Sequence, residues 1–358
     1  MGVFIGVIYH FIGGAASGSF YMPFTRVRKW SWESMWIIGG LFSWLIVPPL
    51  AAWFTIPGFT EIIQATGAST LGWTYLMGLL WGIGGLTYGL GVRYLGMSLG
   101  NSVILGLTAA FGALLPSVYY DLVPHAGKVT FTQMWDNRWG QFVLLGVLIC
   151  LIGIAICGKA GMMKDREISQ GEKEREKKEG TGEFSIGLGL FVAIVSGVLS
   201  ACFNYGIEAG TPMAEAAVSR GINPLFQNNV IYVVLLWGGL TTNFIWCLFL
   251  NARNKSFGDY VNPRSPLLAN YLLSALAGTT WFLQFFFYGM GESKLGNGAS
   301  SWILHMAFII LVANVWGLVL REWKGVSRKT MLTITAGIVM ILLSILLVGY
   351  GNKIAPGP

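Results

Sequence analysis

Residues 76–96 read LMGLLWGIGGLTYGLGVRYLG, and residues 276–296 read LAGTTWFLQFFFYGMGESKLG. Offset by 200, the two strings agree at Leu76/Leu276, Gly78/Gly278, Trp81/Trp281, Tyr88/Tyr288, Gly89/Gly289, Gly91/Gly291, Leu95/Leu295 and Gly96/Gly296, eight of 21 positions. Chance agreement, even with heavy Gly and Leu usage, would give far fewer. The strings lie in long apolar runs of the length a helix needs to cross a bilayer, about 20 residues. A second offset, of 183, aligns Gly6, Gly14, Ser17 and Phe20 with Gly189, Gly197, Ser200 and Phe203. The chain therefore reads as a duplicated set of membrane helices.

Working outward, ten such runs follow one another: 3–22, 34–54, 71–92, 98–120, 140–158, 186–207, 226–250, 267–290, 300–320 and 331–350. They are continuous, whereas a membrane β-barrel needs short alternating stretches. The first has no basic region before it and reads as a span rather than a cleaved leader. Composition agrees. Of 358 residues 54% are hydrophobic and only 11% charged, with mean hydropathy +0.63. A soluble domain carries about 25% charged residues. Too few charges are present to clothe a soluble enzyme, a basic nucleic-acid-binding face or a disordered polymer.

The charges are also concentrated. Fourteen of the 39 lie in 159–185, seven of each sign. That stretch reads as a solvated linker, partly helical through its Glu–Lys neighbours. It separates a first repeat of five helices, 1–158, from a second, 186–358. Because five is odd, the second repeat enters the bilayer from the opposite side. Inverted repeats of this kind mark secondary transporters, in which the two halves exchange roles to expose a site alternately to each side. Duplication without such motion is the plainer reading. With the N-terminus outside, the inward loops carry 18 Lys and Arg and the outward ones five, which places both termini outside.

The four cysteines, Cys150, Cys157, Cys202 and Cys247, sit in apolar runs without a Cys-x-x-Cys pair and read as small hydrophobes. No Asp lies inside a run and no Glu near the middle of one. A charged or metal cargo would call for such a counter-charge, so the expected substrate is neutral. Acids clustered to hold magnesium pyrophosphate are missing, as is any phosphate-binding Gly-Lys pattern. No metal and no cofactor is expected, and an ion gradient is the expected energy source.

Polar groups recur within the repeat. Trp81, Gly84 and Tyr88 share one helix face, and Trp281, Gln284 and Tyr288 share the matching one. Rings that stack on the C–H face of a sugar, beside an amide and hydroxyls that bond its own hydroxyls, form a carbohydrate site. Interface aromatics with an interhelical hydrogen bond are the alternative. Trp302 and Asn204 join the candidate substrate-binding residues. His10 and His305, the only histidines in runs, are candidate proton carriers or structural residues. Asn297, Ser301 and His305 fall on one polar face. Glu33 at the inner mouth is a third proton-coupling candidate, and Glu208 lies at the outer end of the sixth run. Arg93, Glu292 and Lys294 terminate the repeated helices and are candidate gate contacts.

These residues carry a resemblance. GAASGSFYMPFTRVRKWSWESMW (14–36), MGLLWGIGGLTYGLGVRYLGMSLG (77–100), TTWFLQFFFYGMGESKLG (279–296) and SSWILHMAFIILVANVWGLVLREW (300–323) resemble the bacterial L-rhamnose–proton symporter family, within the drug/metabolite transporter superfamily. The resemblance runs through nearly the whole chain. It implies an all-α membrane protein of ten helices in inverted five-helix repeats. The implied activity is symport of L-rhamnose, and of related sugars, with a proton across the bacterial inner membrane. The residues it carries over are Trp81, Tyr88, Arg93, Trp281, Gln284, Tyr288, Trp302, His305, Glu33 and His10. An exporter or exchanger of another small neutral metabolite on the same scaffold is the alternative. A membrane enzyme or sensor, from another class, would need a soluble domain or a ligand cluster that the sequence lacks.

Overall fold

The computed structural model describes residues 2–95, 97–125, 127–172 and 186–355. Within them the chain is helical, without strands. In order, the helices are α1 (Gly2–Ser19), α2 (Trp32–Gly40), α3 (Val47–Thr55), α4 (Phe59–Ala65), α5 (Ala68–Leu95), α6 (Met97–Leu122), α7 (Phe131–Asp136), α8 (Arg138–Glu172), α9 (Ile186–Ala209), α10 (Thr211–Ser219), α11 (Asn229–Asn254), α12 (Leu267–Leu295), α13 (Gly298–Val319) and α14 (Arg328–Ile354).

Among the described residues, nine helical segments are long and apolar enough to cross a membrane, one for every expected run except 267–290. That run is α12. It has 29 residues, about 43 Å at helical rise, and so lacks apolarity rather than length. The reason is its interior face, where Asn270, Ser274 and Gln284 are buried among protein atoms rather than presented to lipid. Large apolar side chains such as Phe4, Trp53, Phe54, Ile245 and Leu346 cover the outside instead, as a lipid solvent requires.

Helix α8 continues to Glu172, so the beginning of the charged stretch is helical. Residues 173–185 lie outside the described residues. Glu167 near its end accepts hydrogen bonds from the Ser327 backbone and hydroxyl and from Thr330, tying α8 to the start of α14.

Leu41–Ile46, between α2 and α3, is π-helical. Pro48 and Pro49 explain it. Neither has an N–H to return to the carbonyls four residues earlier, so the turn widens there. The widened turn brings Trp44 into the interior, 1% exposed.

The helices pack in a definite pattern. Helix α1 lies against α12 and α13; α9 lies against α5 and α6; α8 pairs with α14, α5 with α11, and α12 with α2. Close approach needs small residues where backbones meet. A Cβ on Gly78 of α5 would strike the carbonyl of Leu235 in α11, and one on Gly278 of α12 would strike the backbone of Gly39 in α2.

Candidate functional site

The two repeated tryptophans meet in the interior. Trp81 and Trp281 have ring centroids 6.2 Å apart, and Trp44 lies 6.3 and 5.3 Å from them. Phe20 of the chain following α1 stacks on Trp281 at 4.6 Å, and Trp36 approaches it to 5.2 Å. Phe203 of α9 packs on Trp81 at 5.1 Å and stacks on Phe285 at 4.4 Å. Offset and edge contacts of this kind add to plain burial, about 0.5–1.5 kcal/mol per pair. The cage is made without a charged residue.

Phe203 also reaches Trp302, which contacts Tyr288 at 6.0 Å. Tyr288 then touches His305 at 5.2 Å and His10 at 5.4 Å, and the two imidazoles lie 6.1 Å apart. Tyr288 donates to Asn204 Oδ1 at 3.1 Å, and Asn204 donates to the Gly112 carbonyl at 2.8 Å. Trp302 donates to the Thr108 carbonyl at 2.9 Å. Among the described residues, several buried polar atoms are left without partners: both nitrogens of His10, His305 Nδ1, Gln284 Nε2 and Trp44 Nε1. Unpaired buried polar groups are uncommon and call for an explanation.

Above the Tyr288–Asn204 bond lies a cavity of about 330 Å³, at the end of the bundle where α6, α9 and α12 finish and α11 and α13 begin. Glu208 and Glu292 line it, each one turn beyond Asn204 and Tyr288 on its own helix. Glu208 pairs with Lys128 and accepts from the Tyr120 hydroxyl at 2.7 Å. Glu292 accepts from Asn228 Nδ2 at 2.6 Å. The pair Tyr288–Asn204, both 1% exposed, lies one helical turn from the two glutamates of this polar vestibule.

The expected residues do not all converge. Trp81, Trp281, Gln284, Tyr288, Trp302, Asn204, His10 and His305 share the interior, and Glu292 borders it. Tyr88 stands apart. It donates to Asn101 at 2.7 Å and packs beside Leu95, Ile104 and Ala193. Its helical face turns from the cage because α5 also meets α6 and α9 there. Glu33 lies 4% exposed at the opposite end, accepting from Ser256 Oγ at 2.7 Å and Asn254 Nδ2 at 2.9 Å. Nearby, Asp259 accepts from Ser34 Oγ at 2.8 Å and the Ser31 backbone at 2.7 Å. This cluster ties α2 to the end of α11. Lys294 is exposed and belongs to none of the ion pairs among the described residues; it does not partner Glu292. The Arg93 side chain lies outside the described residues. The Asn297 side chain does not bond those of Ser301 or His305 but caps α13: its Oδ1 accepts from the Ser300 backbone at 3.2 Å, and its carbonyl accepts from the Ser301 backbone at 3.0 Å.

Some participants escaped the sequence reading. Trp44 is signalled only by the Pro48–Pro49 pair that widens its turn. Phe20 and Phe203 were already matched by the offset of 183, but nothing in the sequence says that each faces the other repeat's tryptophan. Lys128 and Asn228 come from loops, and their partners are fixed by folding alone.

The profile of the L-rhamnose-proton symport protein family matches residues 1–354. The chain belongs to the L-rhamnose-proton symport protein family. A curated L-rhamnose-proton symporter of Pectobacterium atrosepticum is 37% identical over 357 residues, covering 98% of this chain and 99% of the relative. One from Yersinia pestis is 37% identical over 355 residues, 98% of each chain. The L-rhamnose-proton symport family is one of multi-pass membrane transporters, not enzymes.

Proposed function

We propose that this chain takes up L-rhamnose together with a proton across the bacterial inner membrane by alternating access. In this reading it has ten transmembrane helices, α12 being the eighth, arranged as inverted repeats 1–158 and 186–358 joined by 159–185, with both termini outside. One observation carries the reading: the repeat-matched residues pair crosswise. Phe20 stacks on Trp281, and its counterpart Phe203 packs on Trp81. The packing pattern supports the same symmetry. If each helix of the first repeat exchanges with its counterpart, α1 against α12 becomes α9 against α5, α12 against α2 becomes α5 against α11, and α8 against α14 maps onto itself. Gly78 and Gly278 are matched positions, and their close approaches are matched too.

The cage suits an uncharged, ring-shaped guest with one apolar face. Its indoles supply stacking surface, and the unpartnered amide, imidazole and indole nitrogens supply hydrogen bonds. With the termini outside, the vestibule over Tyr288–Asn204 faces outward and the Phe20–Trp36–Trp281 stack closes the inner route. Symport needs only that sugar and proton each tighten the other's binding.

The reading is tested in proteoliposomes of purified protein. An imposed inward proton gradient should drive accumulation of labelled L-rhamnose, and unlabelled L-rhamnose should drive counterflow without any gradient. Counterflow with no response to the proton gradient would overturn symport, and neither activity would overturn rhamnose as the cargo.

A further inference from the structure

We infer that the vestibule is where sugar and proton load together, and that Glu292 is the group that takes the proton. This rests on the symport reading and deepens it.

Two carboxylates converge there. A Cβ on Gly298, at the start of α13, would lie 3.2 Å from Glu208 Oε1 and 3.6 Å from Glu292 Oε1. The single lysine of the cavity lining is taken by Glu208, which also receives the Tyr120 hydroxyl. Among the described residues, the hydrogen-bond partner of Glu292 is the neutral amide of Asn228. Glu215 of α10 borders the cavity and adds further negative charge. Tyr232 of α11 and Tyr288 of α12 itself are the other titratable groups within electrostatic range of Glu292. With both Glu208 and Glu292 ionised, one cation faces two close carboxylates. A proton on Glu292 removes that like-charge contact. Asn228 serves either form, because an amide presents both donors and an acceptor and can turn to receive the acid O–H.

An independent observation points to a ligand. Asn297 lines the cavity at 6% exposure, and its Oδ1 is spent on capping α13. Among the described residues its Nδ2 has no partner. A buried donor left open beside carboxylate acceptors is what a vicinal diol requires. At about 330 Å³ the cavity sits at the small end of ligand pockets, roughly 300–1,000 Å³, as a monosaccharide demands.

The histidines are less suited to carrying the charge. His10 is fully buried with both nitrogens unpartnered, and its ring is pressed against α12, where a Cβ on Gly291 would lie 2.6 Å from Nε2. An imidazolium there has no acceptor to receive its second N–H, and burying an uncompensated charge is heavily penalised. Glu292, by contrast, opens onto the vestibule and gains its proton directly from water.

The proton arrives from the outer solution on a Glu292 oxygen, converting carboxylate to neutral acid. The sugar first bonds Asn297 and the acid in the vestibule and passes from there to the cage. After the bundles reorient, the same oxygen returns the proton to the inner solution.

The test uses the full chain in proteoliposomes, with L-rhamnose as the probe. E292Q should retain slowed counterflow that no longer varies with pH, and should lose accumulation under an inward proton gradient, while E292D recovers both. In detergent, adding L-rhamnose to the unmodified protein near neutral pH should draw protons from a weakly buffered solution, and E292Q should abolish that uptake. E208Q frees Lys128 for Glu292 and should shift the pH dependence of counterflow toward acid. N297A should weaken half-saturation about tenfold, the loss of one hydrogen bond of roughly 1.4 kcal/mol, in counterflow and in gradient-driven accumulation alike. Gradient-driven accumulation by E292Q, or undiminished proton uptake on sugar addition, overturns the assignment. Should E292Q fail to fold, an unshifted pH profile in E208Q or unchanged half-saturation in N297A overturns it. Failure of the unmodified protein to accumulate L-rhamnose refutes the symport reading instead.

Discussion

Gly78 and Gly85 lie two turns apart on α5 and should respond oppositely to the same added methyl group. A Cβ on Gly78 would overlap the Leu235 carbonyl oxygen of α11 and lie 2.9 Å from its carbon, and a backbone carbonyl cannot swing aside as a side-chain tip does. The two helices would have to part by about an ångström, which forfeits up to half of each dispersion contact along the seam. Overpacking of this kind is destabilising by about 1–3 kcal/mol, set against a helix-propensity gain of about 1 kcal/mol for Ala over Gly. At Gly85 a Cβ meets nothing within 4 Å, so only the gain remains. Gly78→Ala is therefore expected to lower the unfolding midpoint in detergent, and Gly85→Ala to leave it unchanged or raise it. Tryptophan fluorescence during a thermal ramp, read beside L-rhamnose counterflow, makes the measurement. Equal midpoints for the two variants would refute the packing of α5 on α11, and with it the close-contact explanation of the Gly78/Gly278 match.

Trp81→Ala and Trp281→Ala should weaken L-rhamnose half-saturation to similar extents, about tenfold or more, since each removes one wall of the cage; parallel counterflow titrations check this, and an effect confined to one tryptophan contradicts a shared site. Tyr288→Phe leaves Asn204 Oδ1 without its 3.1 Å donor, so stability should fall by about 1–2 kcal/mol, and a cysteine placed in the cage should label faster from the vestibule side. An unchanged labelling rate would mean that this bond does not separate vestibule from cage. Glu33→Ala removes the acceptor for Asn254 and leaves Ser256 with Asn251 Oδ1 at 3.1 Å; it should lower thermal stability by about 1–3 kcal/mol while proton-driven accumulation per unit of counterflow is retained, and selective loss of accumulation would instead place Glu33 in the proton route.

Much of the membrane architecture is legible in the sequence because lipid imposes a simple rule on composition: a helix without water must be apolar over its whole length. Nine segments obey it openly. The run at 267–290 is legible as a helix because its repeat partner at 71–92 carries the same Leu, Gly, Trp and Tyr positions, although its buried Asn270, Ser274 and Gln284 dilute its hydropathy. The site is legible only in part. Periodicity put Trp81 and Trp281 on corresponding faces. It put Tyr88 beside Trp81 by the same rule, but α5 meets α6 and α9 at that end, and Tyr88 bonds Asn101 there instead.

By itself the sequence determined that this chain crosses a membrane many times, that residues 76–96 and 276–296 agree at eight positions, and which side chains have no business in lipid unless something satisfies them. Only the tertiary structure decided which of those side chains share a space. Phe20 reaches Trp281 across 261 positions of chain, and Lys128 takes Glu208 and leaves Glu292 to Asn228. Hydropathy and helical period act within one element and are written in local composition. Pairing between elements depends on how helices cross, and the small residues at those crossings set the distances without naming their partners.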